Sequence, residues 1–327
     1  VHHDLDSLVN HIRAHPGLIR KGPVAEVFRE LVLEGAGGTA LANYGDDAAA
    51  IPQGEGFLLL ACDGLPAALL AAEPLAAARA SVAAAVNHIY AMGGRPLALV
   101  NLLASGDEEQ RAAMVAGVKR GCAELRAPMA GGRLHPDAPA AQPGLAVAVL
   151  GQAKSLLRGH LARSGDDLIF AADLRGAPAF RSFPGWDSHA GKTSEQLLAR
   201  LEVLPAIAER GLALAAKDVG LPGVIGTAAI LAENAGLGAL IELRDIPCPD
   251  QADPLAWLLS NLSYGFVLAA PPVNSPEILG MFRERGLAAE VVGRITAEPL
   301  VVLESGPERQ VLFDLEHEAI TGIRFSG

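Results

Sequence analysis

The run Asn87-His88-Ile89-Tyr90-Ala91-Met92-Gly93-Gly94-Arg95-Pro96 marks where a helix ends and a strand begins. Residues 75–92 leading into it are Ala-rich and free of internal Gly or Pro, which predicts one long helix capped by Gly93-Gly94. Residues 97–103 beyond it form a short apolar run read as a strand. Upstream, residues 57–62 are a second continuous apolar run, a buried strand ending at Asp63. Downstream, residues 108–125 read as a helix and residues 145–150 as another strand. The first half thus alternates strand and helix, with Asp and Gly at the strand ends.

The pattern restarts after Arg163-Ser164-Gly165-Asp166-Asp167, with a strand at 168–172 and helices at 195–203 and from Pro205 to Arg210. A helix at 223–235 is entered through Lys217-Asp218-Val219-Gly220-Leu221-Pro222. Strands at 239–243, 265–270 and 288–292 and helices at 254–261 and 275–285 complete the half. Ahead of both halves, Leu5, Leu8, Val9 and Ile12 recur at helical spacing until His15-Pro16-Gly17 stops them. Residues 24–33 repeat that pattern, and Gly35-Ala36-Gly37-Gly38 is a flexible break. The expected division is an N-terminal helical segment at 1–33, one α/β or α+β domain at 34–155 and a second at 156–327.

Composition narrows the function classes. At 327 residues, half of them hydrophobic, the chain can build two cores, and with 4% aromatics those cores rest on small aliphatic side chains. A formal charge of −11 argues against a general nucleic-acid or anionic-membrane surface. It leaves room for a nucleotide whose charge a metal neutralises. Cys62, Cys122 and Cys248 form no CxxC pair, which excludes a cysteine zinc cluster and fits a reducing cytoplasm. Cys62, in an apolar run, is expected in the core. Apolar stretches are broken before the ~20 residues of a membrane span, so a soluble, cytoplasmic protein is expected.

Asp46-Asp47, after Gly45, places two carboxylates side by side, an unfavourable pairing unless a cation neutralises them. Asp63 is a third, on a rigid strand end, and magnesium binds through one or two carboxylates plus substrate phosphates. The alternative is an Asx-type turn at Asp46-Asp47 and an ordinary loop residue at Asp63. Glycines at 93–94 and 131–132 let backbone approach phosphates, or simply stop helices. Lys217-Asp218 either serves an anion or metal at the helix start or caps it. Trp186-Asp187-Ser188-His189 with Lys192 reads as a polar loop, more simply solvated than substrate-bound. No Gly-x-x-x-x-Gly-Lys-Ser/Thr run is present: Gly185 stands one residue too far from Gly191-Lys192-Thr193. The Gly-x-Gly-x-x-Gly pattern of dinucleotide domains is missing after the first strand.

Taken in order, these segments resemble the AIR synthase (PurM-like) superfamily, which includes selenophosphate synthetase, thiamine-monophosphate kinase and a hydrogenase maturation dehydratase. Gly45-Asp46-Asp47-Ala48-Ala49 resembles its first metal motif and Cys62-Asp63-Gly64 its Thr-Asp motif. The run from Asn87 to Gly94 is similar to a selenophosphate-synthetase stretch, Ala130-Gly131-Gly132 to the second Gly-Gly site, and Lys217-Asp218 with Gly223-Val224-Ile225-Gly226 to the motif opening the C-terminal helix. The likeness runs from about residue 44 to 295 and is nearest to uncharacterised AIR-synthase-related proteins.

The resemblance implies a two-domain α/β fold, with the N-terminal domain pairing across a two-fold axis into a barrel shared by a homodimer. It implies ATP and Mg2+, the metal held by Asp46, Asp47 and Asp63. Nucleotide contacts fall to Asp63, Asn87, His88, Gly93, Gly94, Gly131, Gly132 and Arg133, and catalytic roles to Asp218, Lys217 and Lys21. The implied activity is phosphorylation or activation of an oxygen on a small, nitrogen-containing metabolite; a nucleotide-binding partner without turnover is the alternative. Two departures stand out. His88 replaces the usual Asp, which opens a Mn2+ preference, and Arg133 replaces an Asp, Glu or His and offers phosphate a bidentate contact. Lys21 lacks the cysteine of selenophosphate synthetases, and residues 65–73 lack the histidine of the thiamine-phosphate kinases.

Overall fold

The computed structural model describes residues 5–31 and 45–324. His2-His3, the expected break at 35–38, the end of the helix at 33 and Tyr44 lie outside them. Helices α1 (Leu5–Arg13), α2 (Pro16–Ile19) and α3 (Val24–Leu31) come first. The first half follows as β1 (Ala49–Gln53), β2 (Gly56–Asp63), α4 (Ala67–Ala72), α5 (Pro74–Ala91), β3 (Arg95–Ala104), α6 (Glu108–Leu125), β4 (Met129–His135) and β5 (Gly144–Ala153). The second half opens with β6 (Asp167–Ala172), β7 (Ala177–Pro178), β8 (Gly185–Asp187), α7 (Ser194–Leu201), α8 (Val203–Glu209), β9 (Ala215–Asp218) and α9 (Gly223–Asn234). It closes with β10 (Gly238–Glu242), α10 (Pro254–Leu258), β11 (Asn261–Leu262), β12 (Gly265–Ala270), α11 (Ser275–Arg283), β13 (Ala288–Thr296), β14 (Leu300–Ser305) and β15 (Glu308–Asp314). The architecture is mixed α/β with two domains.

The first sheet runs β1-β2-β5-β3-β4, antiparallel except for the β3–β4 pair. Strand alternation puts Leu59 and Ala61 of β2 under α5, while Leu60 and Cys62 face outward. Cys62 is therefore exposed rather than a core residue: an apolar run signals a strand without saying which face is covered. The same outer face carries Leu60, Val100, Leu102, Leu134 and Leu150, each at least 36% exposed.

The second sheet runs β15-β14-β10-β13-β6-β12-β9 and is buried on both faces at its centre. Along β6, Leu168, Phe170 and Ala172 join the core formed with α1 and α9. Ile169 and Ala171 join the core shared with α5, α8 and α11. Double burial explains why β6 and β12 read as unbroken apolar runs instead of alternating ones. Each such Leu, Ile or Phe contributes roughly 1.5–3 kcal/mol of burial.

The long helix α5 packs on β2, β3 and β5 and also against β9, so it ties the two sheets together. Its neighbour α6 crosses closely enough that a Cβ on Gly117 would lie 2.3 Å from the Leu75 carbonyl. Asp107 caps α6 by accepting from the Gln110 amide, and Thr193 caps α7 in a reciprocal box with Gln196. Pro205 lies inside α8 rather than opening it, at a third position where its missing N–H costs nothing.

Candidate functional site

Five separate segments bring the chemistry together. Asp47 stands just before β1, Asp63 ends β2, His88 lies in the last turn of α5, Lys217-Asp218 end β9, and Lys21 sits between α2 and α3. They line one cavity of about 240 Å³, closed on the far side by Gly220, Leu221, Pro222 and Thr227. Asp63 and Asp218 reach it for the same reason: each is the last residue of its strand.

The imidazole of His88 lies between two carboxylates, Nδ1 at 2.7 Å from Asp218 and Nε2 at 3.3 Å from Asp63. Burial alone would lower the His88 pKa, but Asp218 and Asp63 hold it well above the ordinary histidine value. The ring is thus an imidazolium donating from both nitrogens. For Asp218, burial and the carboxylates of Asp47 and Asp63 raise the pKa against the pull of His88. Asp63 ends below the ordinary carboxylate value: burial opposes this, and His88 and the Gly64 amide bring it about.

Lys217 reaches from β9 to Asp47 at 2.7 Å and to the Gly45 carbonyl. The Asp218 amide donates to the second Asp47 oxygen at 3.1 Å. Burial works against both charges, yet Lys217 is raised by Asp47, and Asp47 is lowered by Lys217 and His88, so the pair stays ionised. Gly45 has φ +122°, and a Cβ there would lie 2.9 Å from the Asn234 amide, so only glycine lets the chain enter Asp46-Asp47 in this way.

Lys21 differs from these. Burial pushes its ammonium below the ordinary lysine value, and Asp63 restores part of the loss from a distance. No side-chain hydrogen bond or ion pair holds the ammonium among the described residues.

The other expected site residues lie outside this cavity. The Asp46 side chain is 1% exposed and faces the opposite way, accepting from Arg158 Nε at 2.8 Å and from the Gly159 amide. Asn87 is buried, donates to the Ser263 carbonyl at 3.0 Å, and leaves its own carbonyl oxygen without a partner. Gly93, at φ +80°, and Gly94 end α5 where a Cβ would strike Ala208 or Leu59. Gly131, Gly132 and Arg133 lie on the exposed edge strand β4. Within this cavity the donor atoms of Asp47, His88 and Asp218 all lie within 4.8 Å of one another. Two carboxylates suit a divalent cation, and the His88 ring joins them only after giving up a proton, since an imidazolium has no lone pair for a metal. A neutral ring nitrogen moves the preference from Mg2+ toward Mn2+.

The loop expected to be solvated is instead built into the interior. Trp186 is 4% exposed, and Ser188 and His189 are buried. Asp187 takes a two-pronged contact from Arg79 of α5, and Arg79 also meets Glu124 of α6 at 2.7 Å. These partners stand more than 60 residues away in sequence, and no local spacing points to them.

The fold and this cavity define a two-domain α/β protein with an acidic cleft balanced by its own cations, where the two sheets meet. The chain belongs to the AIR synthase related protein family: that family's N-terminal domain matches residues 45–153 and its C-terminal domain residues 151–305. An uncharacterized protein of Synechocystis sp. is 35% identical over 318 residues, covering 97% of this chain and 98% of its own. Among solved structures, T. maritima PurL complexed with AMPPCP matches with TM-score 0.73 and 18% identity, over 98% of this chain and 51% of that chain. AaThiL complexed with AMPPCP and TMP matches with TM-score 0.63 and 18% identity, over 89% of this chain and 96% of that one. At these identities the structures establish the PurM-like fold. The chain spans about half the length of the PurL chain it matches. No helix among the described residues is long and apolar enough to cross a membrane.

Proposed function

We propose that this chain is an ATP- and divalent-cation-dependent enzyme that activates an oxygen of a small metabolite by phosphorylation. The observation that carries this reading is the convergence of Asp47, Asp63, His88, Lys217 and Asp218, from both sheets and from α5, on one cavity that Lys21 also lines. Solved relatives of the same fold, PurL and ThiL, hold the ATP analogue AMPPCP.

In this reading Asp47, Asp218 and a His88 ring that has lost a proton would hold Mg2+ or Mn2+, and the ion would supply neutralisation of phosphate charge. Asp63 keeps the His88 ring in place. Lys217 fixes Asp47 against the end of β9 and joins the two halves. Lys21, desolvated and without a side-chain partner among the described residues, takes an anionic oxygen of nucleotide or acceptor. Asp46 and Arg158 anchor the approach to Asp47 from behind. Gly93 and Gly94 fix the end of the helix that carries His88, and Gly131, Gly132 and Arg133 offer an outer contact for the nucleotide. Domain limits at 34–155 and 156–327 and a cytoplasmic location belong to the same reading, the latter supported by three free cysteines.

The exposed apolar face of the first sheet supports a homodimer closed through that face, because water-exposed apolar surface of this kind marks an interface. A second reading, nucleotide binding without turnover, is favoured by one observation. Asp46, Asp47 and Asp218 are already partnered by Arg158, Lys217 and His88. Thermal shift with ATP or ADP and Mg2+ or Mn2+, followed by an ADP-release screen over amines, carboxylates and amides, tests the proposal. Stabilisation with ADP release supports it. Stabilisation with no release selects the second reading, and neither effect removes both.

A further inference from the structure

Residues 179–184, between β7 and β8, form a loop whose two ends close on the fold. The Ala179 amide donates to the Gly185 carbonyl at 2.8 Å, and the Asn261 amide donates to the Pro184 carbonyl at 3.1 Å. The middle of the loop is held by one side chain of the first half. Glu73, at the junction of α4 and α5, accepts from the Arg181 amide at 2.9 Å, the Ser182 amide at 3.1 Å and the Ser182 hydroxyl at 2.9 Å, all through one oxygen. Burial works against the charge of Glu73, but the Ser182 hydroxyl and the two amides hold its pKa below the ordinary glutamate value. It therefore accepts as a carboxylate, in charge-assisted bonds.

The two phenylalanines of the loop have different neighbours. Phe180 is buried in the core shared with α5. Phe183 is half-buried, and its ring centre stands 5.5 Å from that of His15. His15 is 4% exposed and immediately precedes α2, and its Nε2 donates to the Leu221 carbonyl at 2.9 Å. The start of α2 lies so close to this carbonyl that a Cβ on Gly17 would strike it. Leu221 lines the large cavity, and so do Arg20 and Lys21, which follow α2 directly. A line of contacts thus runs from Glu73 through Phe183 and His15 to the segment that borders the cavity.

Behind Phe183 the packing is incomplete. A hollow of about 410 Å³ separates the loop from α10, walled by Phe180, Phe183 and Trp186 on one side and Ala252, Ala256 and Trp257 on the other. Both indole N–H groups are used elsewhere, by the Asp173 carbonyl at 3.2 Å and the Pro247 carbonyl at 2.9 Å. The walls are therefore mainly carbon, and they gain contacts if a further apolar side chain enters.

We propose that residues 179–184 are a strap with two positions, latched to Glu73 or dropped into the hollow. Latched, the strap holds Phe183 against His15 and keeps the start of α2 on Leu221 at the edge of the cavity. Released, it swings Phe183 into the hollow, and the contact of His15 with Leu221 loses its backing. The exchange sets three hydrogen bonds, open to competing water, against the burial of one phenyl ring, two opposing contributions of comparable size. Access to the cavity is thereby governed from outside it, and this holds whatever the cavity binds.

Amide hydrogen exchange on the whole chain, without added ligand, tests the strap. In Glu73→Ala, exchange should quicken about tenfold at residues 181–183 and at residues 15–21 together, the worth of one charge-assisted hydrogen bond. Glu73→Gln keeps an acceptor oxygen and should restore part of the protection at both places. Phe183→Ala leaves the latch in place and should quicken exchange at 15–21 alone, which keeps the test open should Glu73→Ala not fold. The molecule has two tryptophans and both wall the hollow, so acrylamide quenching of their fluorescence should fall in Glu73→Ala as Phe183 enters. Unchanged exchange at 181–183 in Glu73→Ala, or unchanged exchange at 15–21 in either alanine variant, would overturn the proposal. Quenching that rises instead would show a strap that opens to water, and would overturn the second position.

Discussion

Lys217 and Asp47 stand 170 residues apart in the chain and meet at 2.7 Å, with side chains 7% and 10% exposed. One end of this pair belongs to the second sheet and the other to the approach to the first. The cleft therefore exists only when both halves are folded and docked.

Asp47→Ala strands a buried ammonium and should cost about 3–5 kcal/mol, whereas the double variant Asp47→Ala with Lys217→Met should recover much of the loss. Chemical denaturation of the two single variants and the double variant checks this. Additive losses would show that the pair does not couple the halves.

Glu124 contributes to the acid limb of stability alongside Asp47, Asp63 and Asp187, whose carboxyls are also depressed. Burial would raise its pKa, but the neighbouring His189, Arg79 and Arg120 bring it down from 4.5 to about 2 in the folded state. A carboxyl depressed on folding contributes stability that is complete above its unfolded value and fades as pH falls through the folded one. Melting temperature should therefore drop between about pH 4.5 and pH 2, and Glu124→Gln should flatten that drop while lowering stability at neutral pH. An unchanged acid limb in Glu124→Gln would place the effect elsewhere.

His88→Asp exchanges an imidazolium for a carboxylate beside Asp47, Asp63 and Asp218. Without metal the variant should melt below the parent, since like charges at this spacing repel. Mg2+ should raise its melting temperature more than it raises that of the parent, an all-oxygen site being the better magnesium ligand. An equal response of both proteins to Mg2+ would contradict the ligand assignment.

Glu233 holds the C-terminal segment: its carboxylate accepts from the amides of Ile320 and Thr321 at 2.8 Å and from the Thr321 hydroxyl at 2.6 Å. That segment also takes a hydrogen bond from the Ala25 amide and packs against Gly45. Glu233→Ala should raise amide hydrogen exchange at residues 320–323 and, through Gly45, at 45–48. Faster exchange confined to 320–323 would show that the segment does not brace Asp47.

The parts of this molecule legible in sequence are those built from unbroken local signals. The helix expected over 75–92 and found at Pro74–Ala91, and the strand ending at Asp63, follow from uninterrupted apolar or Ala-rich runs, and the turn into α9 from its Gly and Pro. Strand β1 carries Pro52 at the sheet edge, and β9 spans only Ala215–Asp218, too short for periodicity to register. Within the site, the carboxylates at 47 and 63 and the Lys-Asp pair at 217–218 were visible as residue types. Which of them converge was not. Asp46 turns to Arg158 while its neighbour Asp47 enters the cleft, a choice set by Gly45 and by partners more than 100 residues away. The placement of Asp187 and His189 likewise depends on Arg79, Glu124 and Ser263, which no local pattern links to them.

Calorimetric titration of ATP with Mn2+ into the parent and into Asp63→Asn tests the central claim most directly. The account predicts saturable, metal-dependent binding to the parent that stabilises it by about 2.7 kcal/mol at a hundredfold excess over Kd, and much weaker binding to Asp63→Asn. Absence of binding to the parent, or equal binding to both with and without metal, would contradict it.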